Sequence, residues 1–93
     1  IFAEKVRALF ERKTPAPRDL YDLWVMLQMG EPVNLTLIDQ KMARLHRAFE
    51  HDDFVRVVTA MQMGWDRDLK RLLPSLPPFE QVAQGVMQKF RLA

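Results

Sequence analysis

The sequence predicts an all-α fold, a single small bundle of about five helices. Three observations carry that expectation. Apolar residues recur in consecutive stripes at helical spacing. Prolines and isolated glycines fall between the stripes, where helices have to stop. The one stretch with β preference, around Val55, Val57, Val58 and Thr59, has no second strand to pair with, so it too is assigned to a helix.

The elements follow in order. Phe2, Val6, Leu9 and Phe10 form the first stripe, with Glu4, Arg7 and Glu11 on the other side. Thr14-Pro15-Ala16-Pro17 ends this helix, because a proline nitrogen cannot donate and its ring excludes the preceding turn. A second helix starts at Pro17 or Arg18, where proline suits a first helical position and Asp19 complements the helix dipole. Leu20, Leu23, Trp24 and Leu27 make its stripe, and Val25, Met26 and Met29 add apolar groups on other sides, as expected of a buried central helix. Gly30 stops it and Pro32 follows. Leu35, Ile38, Met42, Leu45 and Phe49 predict a third helix, capped by Asn34 or by a Thr36/Asp39 box. Phe54, Val57, Val58 and Met61 predict a fourth, with Asp52 or Asp53 as its cap. Trp65, Leu69, Leu72 and Leu73 give another helical face, closed by Pro74. Phe79, Val82, Val86 and Phe90 mark the last helix.

Composition bounds the function. The chain has 93 residues, 48% hydrophobic and 28% charged, which is an ordinary globular balance for one small domain. No apolar run is long enough for a transmembrane helix, so no membrane partner is expected, and no basic start precedes an apolar stretch as in a secretory signal. Cysteine is absent, which removes disulfides and thiolate chemistry and fits a cytoplasmic location. Gly30, Gly64 and Gly85 stand alone, so no glycine-rich phosphate loop can be built. The first residue is Ile1 rather than Met, as expected of a piece of a longer protein. Net charge is only +2, but it is unevenly placed: residues 1–18 carry +3 and residues 19–34 carry −3. Any acidic partner therefore has to meet a local basic patch.

Several residues could carry chemistry. Lys5 and Arg12, seven apart, lie at the rim of the first apolar stripe, where they either snorkel to water or point at an anion. Asp19 and Asp22, three apart, share a face of the second helix. Dipole complementation explains Asp19 and explains Asp22 less well. A carboxylate pair beside a lysine rim is what phosphoryl transfer uses, the carboxylates for Mg²⁺ or an attacking group and the lysine for phosphate charge. His46 and His51 are five apart, which is not the spacing of a helical zinc pair, so no metal is expected on them. The tryptophans and methionines read as core filling. Lys41, Arg44 and Arg47, or Arg67, Lys70 and Arg71, offer an alternative: a small helical module that binds nucleic acid or a protein partner.

The run Ala3-Glu4-Lys5-Val6-Arg7-Ala8-Leu9, then Arg12, then Pro17-Arg18-Asp19-Leu20-Tyr21-Asp22-Leu23, resembles the C-terminal half of the AbiEii-type nucleotidyltransferase toxins of type IV toxin–antitoxin systems. Phe54, Trp65 with Asp68-Leu69, and Pro77 with Phe79-Glu80 are similar to that family's helical tail. The resemblance implies that Lys5, Asp19 and Asp22 are catalytic and that Arg12 and Arg18 bind substrate. Lys5 matches a motif lysine that contacts nucleotide phosphate. Arg18, Asp19 and Asp22 match an Arg-Asp-x-x-Asp motif, in which one aspartate acts as base or positioning group. It further implies a nucleoside triphosphate and Mg²⁺ in the complete protein, held by an N-terminal nucleotidyltransferase domain with a Gly-Ser turn and a nearby acid. None of the three glycines here precedes a serine, so this sequence lacks that turn. The implied partners are that domain, an antitoxin protein, and tRNA or another RNA acceptor. The chain by itself is expected to be inactive.

One geometric expectation joins the two motifs. If the first helix runs to Lys13 and packs antiparallel to the second, Lys5 falls opposite Val25 or Met26, about a turn beyond Asp22. Lys5 and the aspartates then form the two ends of a groove that a nucleotide bridges, without a direct salt bridge.

Overall fold

A computed structural model describes residues 1–14 and 16–93. Among them are six α-helices and no strand: α1 (Phe2–Glu11), α2 (Pro17–Gln28), α3 (Leu35–Met42), α4 (His51–Ala60), α5 (Trp65–Leu69) and α6 (Phe79–Leu92). A 3₁₀ turn, Ala43–Leu45, follows α3. Helix α2 is central, packing against α1, α5 and α6. The all-α reading holds, including the helix at residues 54–59.

Three boundaries differ from the sequence reading. Helix α1 stops at Glu11, with Arg12 already extended at ψ 135°, so the breaker acts ahead of the prolines; Pro15 itself lies outside the described residues. Helix α3 ends at Met42 rather than running to Phe49, because the chain tightens into the 3₁₀ turn and His46 then takes a left-handed conformation, φ 57°. Leu45 and Phe49 still reach the core, but from a turn and an extended connector. The Asp39 carboxylate accepts from the Phe49 backbone N–H at 2.8 Å and fixes that connector. Helix α5 ends at Leu69, and residues 70–72 are a turn.

The caps sort out the remaining alternatives. Asn34 caps α3 by accepting from the Leu37 N–H at 3.0 Å, so the Thr36/Asp39 box is not used. Glu50 stands at the N-cap of α4 with no side-chain cap bond, and Asp52 and Asp53 lie in the first turn, where their charge complements the dipole. Helix α2 ends in a Schellman motif. The Gly30 N–H donates to Leu27 and the Glu31 N–H to Met26, both at 3.1 Å.

The core is continuous through Val6, Leu20, Leu23, Ile38, Met42, Phe54, Val58, Met61, Leu69, Val82 and Val86, all essentially inaccessible to water. Phe54 stacks on Phe90 with centroids 4.3 Å apart, and Phe49, Phe10 and Phe2 extend the aromatic cluster at 5.7–6.4 Å. The cluster ties α4 and α6 to α1. Trp65 closes the other end of the molecule. Its buried indole N–H donates to the Pro77 carbonyl at 2.9 Å, and its ring meets Phe79 edge-on. A buried indole requires such a partner.

Two outcomes follow from this packing. Phe54→Ala should cost about 3–5 kcal/mol, because it removes the middle of the phenylalanine cluster; urea melts read by circular dichroism check it. Gly30→Ala should cost about 1–2 kcal/mol, because φ is +95° and open space around the position offers no compensating contact. The same melts should show the midpoint falling with no change in slope.

Candidate functional site

The site lies on the hairpin of α1 and α2. Two cation–carboxylate pairs cross it. Lys5 Nζ donates to Asp22 Oδ2 at 3.4 Å, and Arg12 Nε donates to Asp19 Oδ2 at 2.5 Å. The later residue of α2 meets the earlier residue of α1, so the two helices run antiparallel. The expected groove without a direct Lys5 salt bridge is therefore corrected: Lys5 pairs with Asp22. The reason is the early end of α1. Counted from the observed ends, Lys5 is six residues before Glu11 and Asp22 is five after Pro17. At 1.5 Å per residue the two are level to within about 2 Å.

The two pairs are physically unlike. Lys5 and Asp22 are both half-exposed, 42% and 39%. Such a pair is weakly held and free to exchange partners. Asp19 is 7% exposed, beside an Arg12 that is 47% exposed. A buried carboxylate needs its cation, since losing the partner leaves an uncompensated charge. Asp19 also sits in the first turn of α2, where its own backbone N–H donates to Ala16 at 2.9 Å. Arg18, on the same turn, is exposed and makes no ion pair among the described residues. The structure thus brings Lys5, Arg12, Asp19 and Asp22 together and leaves Arg18 pointing to solvent beside them.

Both aspartates are engaged by cations, and no group of three or more His, Asp or Glu side chains converges among the described residues. This donor set does not fit a Mg²⁺ ion. It does fit a polyanion, since Lys5 and Arg12 present half-exposed donors on one hairpin.

The alternative basic clusters separate. Lys41 donates to Glu4 at 3.1 Å and ties α3 to α1, and this hydrogen bond holds the Glu4 carboxyl below its ordinary value. Arg44 lies in the 3₁₀ turn, and Arg47 in the connector donates to Asp53 at 3.1 Å. Arg67 donates to Asp68 at 2.9 Å, lowering that carboxyl and raising its own pKa. The hydrogen bond from Arg56 holds Asp53 below the usual carboxylate range against the opposing effect of desolvation, and Arg47 adds a smaller pull in the same direction as Arg56. This Asp53 network escaped the sequence reading, because Arg47 and Asp53 belonged there to different helices. His46 is exposed in the left-handed turn and His51 opens α4.

A family model matches residues 1–85, a span that holds both ion pairs, Arg18 and all of α1 to α5. The chain belongs to the AbiEii family. Its description is nucleotidyl transferase AbiEii toxin, type IV toxin–antitoxin system. No curated protein and no solved structure matches the chain. Within this AbiEii chain no helix among the described residues is long and apolar enough to cross a membrane.

A double-mutant cycle on stability should separate the two pairs. Arg12→Ala with Asp19→Asn should show a coupling of about 1–3 kcal/mol, as for a buried charge. Lys5→Ala with Asp22→Asn should show less than about 1 kcal/mol, as for an exposed pair. Urea unfolding of the four single and two double variants reads both numbers.

Proposed function

We propose that this chain is the C-terminal helical part of an AbiEii nucleotidyltransferase toxin, and that its α1–α2 hairpin contributes half of a nucleotide-transfer site. The observation that carries this reading is the half-exposed Lys5–Asp22 pair, level with each other on a hairpin that a family model covers. In this reading Lys5 leaves Asp22 to donate to a phosphate oxygen of a bound nucleoside triphosphate. Asp22, relieved of its cation, becomes the carboxylate that positions or accepts the proton of the attacking hydroxyl. Asp19 has a positioning role: buried and paired, it aims Arg12 at the same anion. Arg18, exposed beside them, is a second substrate contact.

Mg²⁺, when bound, offsets triphosphate charge and is assigned to an N-terminal domain carrying the Gly-Ser turn and acid that this sequence lacks. That domain, an antitoxin and an RNA acceptor such as tRNA complete the proposed partners. The work takes place in the cytoplasm.

The test has two arms. The 93-residue chain, incubated with labelled nucleoside triphosphates, Mg²⁺ and tRNA, should give no labelled product. Fused behind an active Gly-Ser nucleotidyltransferase domain, it should support transfer. Lys5→Ala should then lower kcat/KM roughly 10- to 100-fold, the worth of one charge-assisted phosphate contact. Robust transfer by the chain alone, or a fusion indifferent to Lys5→Ala, overturns the reading.

A further inference from the structure

A second charged surface adjoins the hairpin. A cleft of about 310 Å³ opens between the C-terminal end of α1 and helix α4. Its floor is apolar, with Phe10 and Val57 half-buried over the buried Leu9. Its rim carries Arg12, Lys13, Arg47 and Arg56. One carboxylate, Asp53, stands among them. It accepts from Arg47 on one oxygen and from Arg56 on the other, which leaves the lining in cationic excess. Arg47 also lies over the Phe10 ring, 5.0 Å from its centroid. Lys13 is exposed, and the Arg56 side chain is 72% exposed.

We infer that this cleft docks an acidic, amphipathic segment of a partner protein, with one apolar side chain on Phe10 and Val57 and carboxylates on either side of it at the rim. Three features argue for that ligand. The cleft already holds a carboxylate. Each guanidinium gives Asp53 one nitrogen and keeps further donors for a second acid, and arginine clusters are a recurring means of reading acidic motifs. The floor suits a side chain better than a nucleobase. Arg47 covers one face of Phe10, and the ring packs on Phe49 and Phe54, so no bare aromatic face is left for stacking. An apolar side chain still gains by covering Val57 and the exposed part of the ring. Finally, Asp53 interrupts the row of cations. An unbroken polyanion meets like charge there, whereas a segment with spaced carboxylates passes it. The volume is at the small end for a ligand pocket and takes one or two side chains of such a segment. Arg12 is shared between Asp19 and the cleft, so an occupied cleft draws on a cation of the hairpin. The effect of that on transfer rests on the proposed nucleotide site. The docking itself does not.

The experiment reads peptide binding alone, with no nucleoside triphosphate and no transfer, so it can fail without touching the nucleotide site. Fluorescence anisotropy follows the chain titrated into a labelled synthetic peptide whose central Phe is flanked on each side by two Glu. Replacing that Phe by Ser should weaken binding roughly tenfold at unchanged charge, the loss of one buried apolar side chain. This arm needs no protein variant. Lys13→Gln with Arg56→Gln should weaken binding of the Phe peptide roughly tenfold, by a factor that shrinks as salt is raised. Arg67→Gln with Lys70→Gln and Arg71→Gln, a larger charge change elsewhere, should change it by less than about twofold. Circular dichroism checks that each variant keeps its helices. Equal losses from the two sets of variants would mean diffuse attraction and overturn the cleft. Equal binding of the Phe and Ser peptides would mean a charge-only surface and overturn the amphipathic ligand. A single-stranded RNA that displaces the labelled peptide better than the unlabelled peptide does, at equal charge, would give the cleft to nucleic acid and overturn the peptide. No measurable binding at low salt overturns the proposal outright.

Discussion

A carboxylate removed from water must keep a cation, and Asp19 keeps Arg12. Much of the molecule's arrangement follows from that requirement. Arg12 has left the helix and adopted an extended backbone, which ends α1 two residues short of Lys13. The early end shortens the first arm of the hairpin and slides it along α2. Lys5 then comes level with Asp22 instead of passing beyond it. The buried pair sets the register, and the exposed pair is its product. This explains why two similar contacts, only a few ångströms apart along α2, are suited to different work. One is too costly to break and the other is cheap to exchange.

The phenylalanine cluster supplies the second constraint. Phe49 reaches the core from the connector rather than from a helix, and Asp39 holds the connector's backbone there. That detour carries Arg47 away from the α3 face and sets it over Phe10, at the end of α1. Apolar packing thereby delivers a cation to a place that no helical wheel assigns it. Asp53, in the first turn of α4, then meets it from the other side.

The legibility of this chain follows the range of the forces involved. The apolar stripes stand out because helical periodicity is a local signal, and Gly30 is legible as a stop because caps act within one turn, whereas Asn34 is one of two candidate caps between which only the structure chooses. The residues around Val57 and Val58 show context overruling β preference. Periodicity places the ends of α1 and α3 too late, because an ion pair in one case and a left-handed turn in the other decide them, and neither leaves a periodic trace. Lys5, Asp19 and Asp22 stand out by helical spacing and again by motif resemblance, but which of them pair depends on where α1 ends, two residues before Lys13. The Asp53 network was invisible because it joins segments whose meeting depends on the whole core.

The sequence separations of the two hairpin pairs carry a kinetic consequence. Arg12 and Asp19 are 7 residues apart, and Lys5 and Asp22 are 17 apart. Closing loops this short costs little chain entropy and takes well under a microsecond to a few microseconds. The stack of Phe54 on Phe90, and of Phe2 near Phe90, joins distant parts of the chain and must wait for collapse. The hairpin's charged groups can therefore find their register while the rest of the polypeptide is still searching, and the slow, long-range aromatic docking completes around a local geometry that already exists.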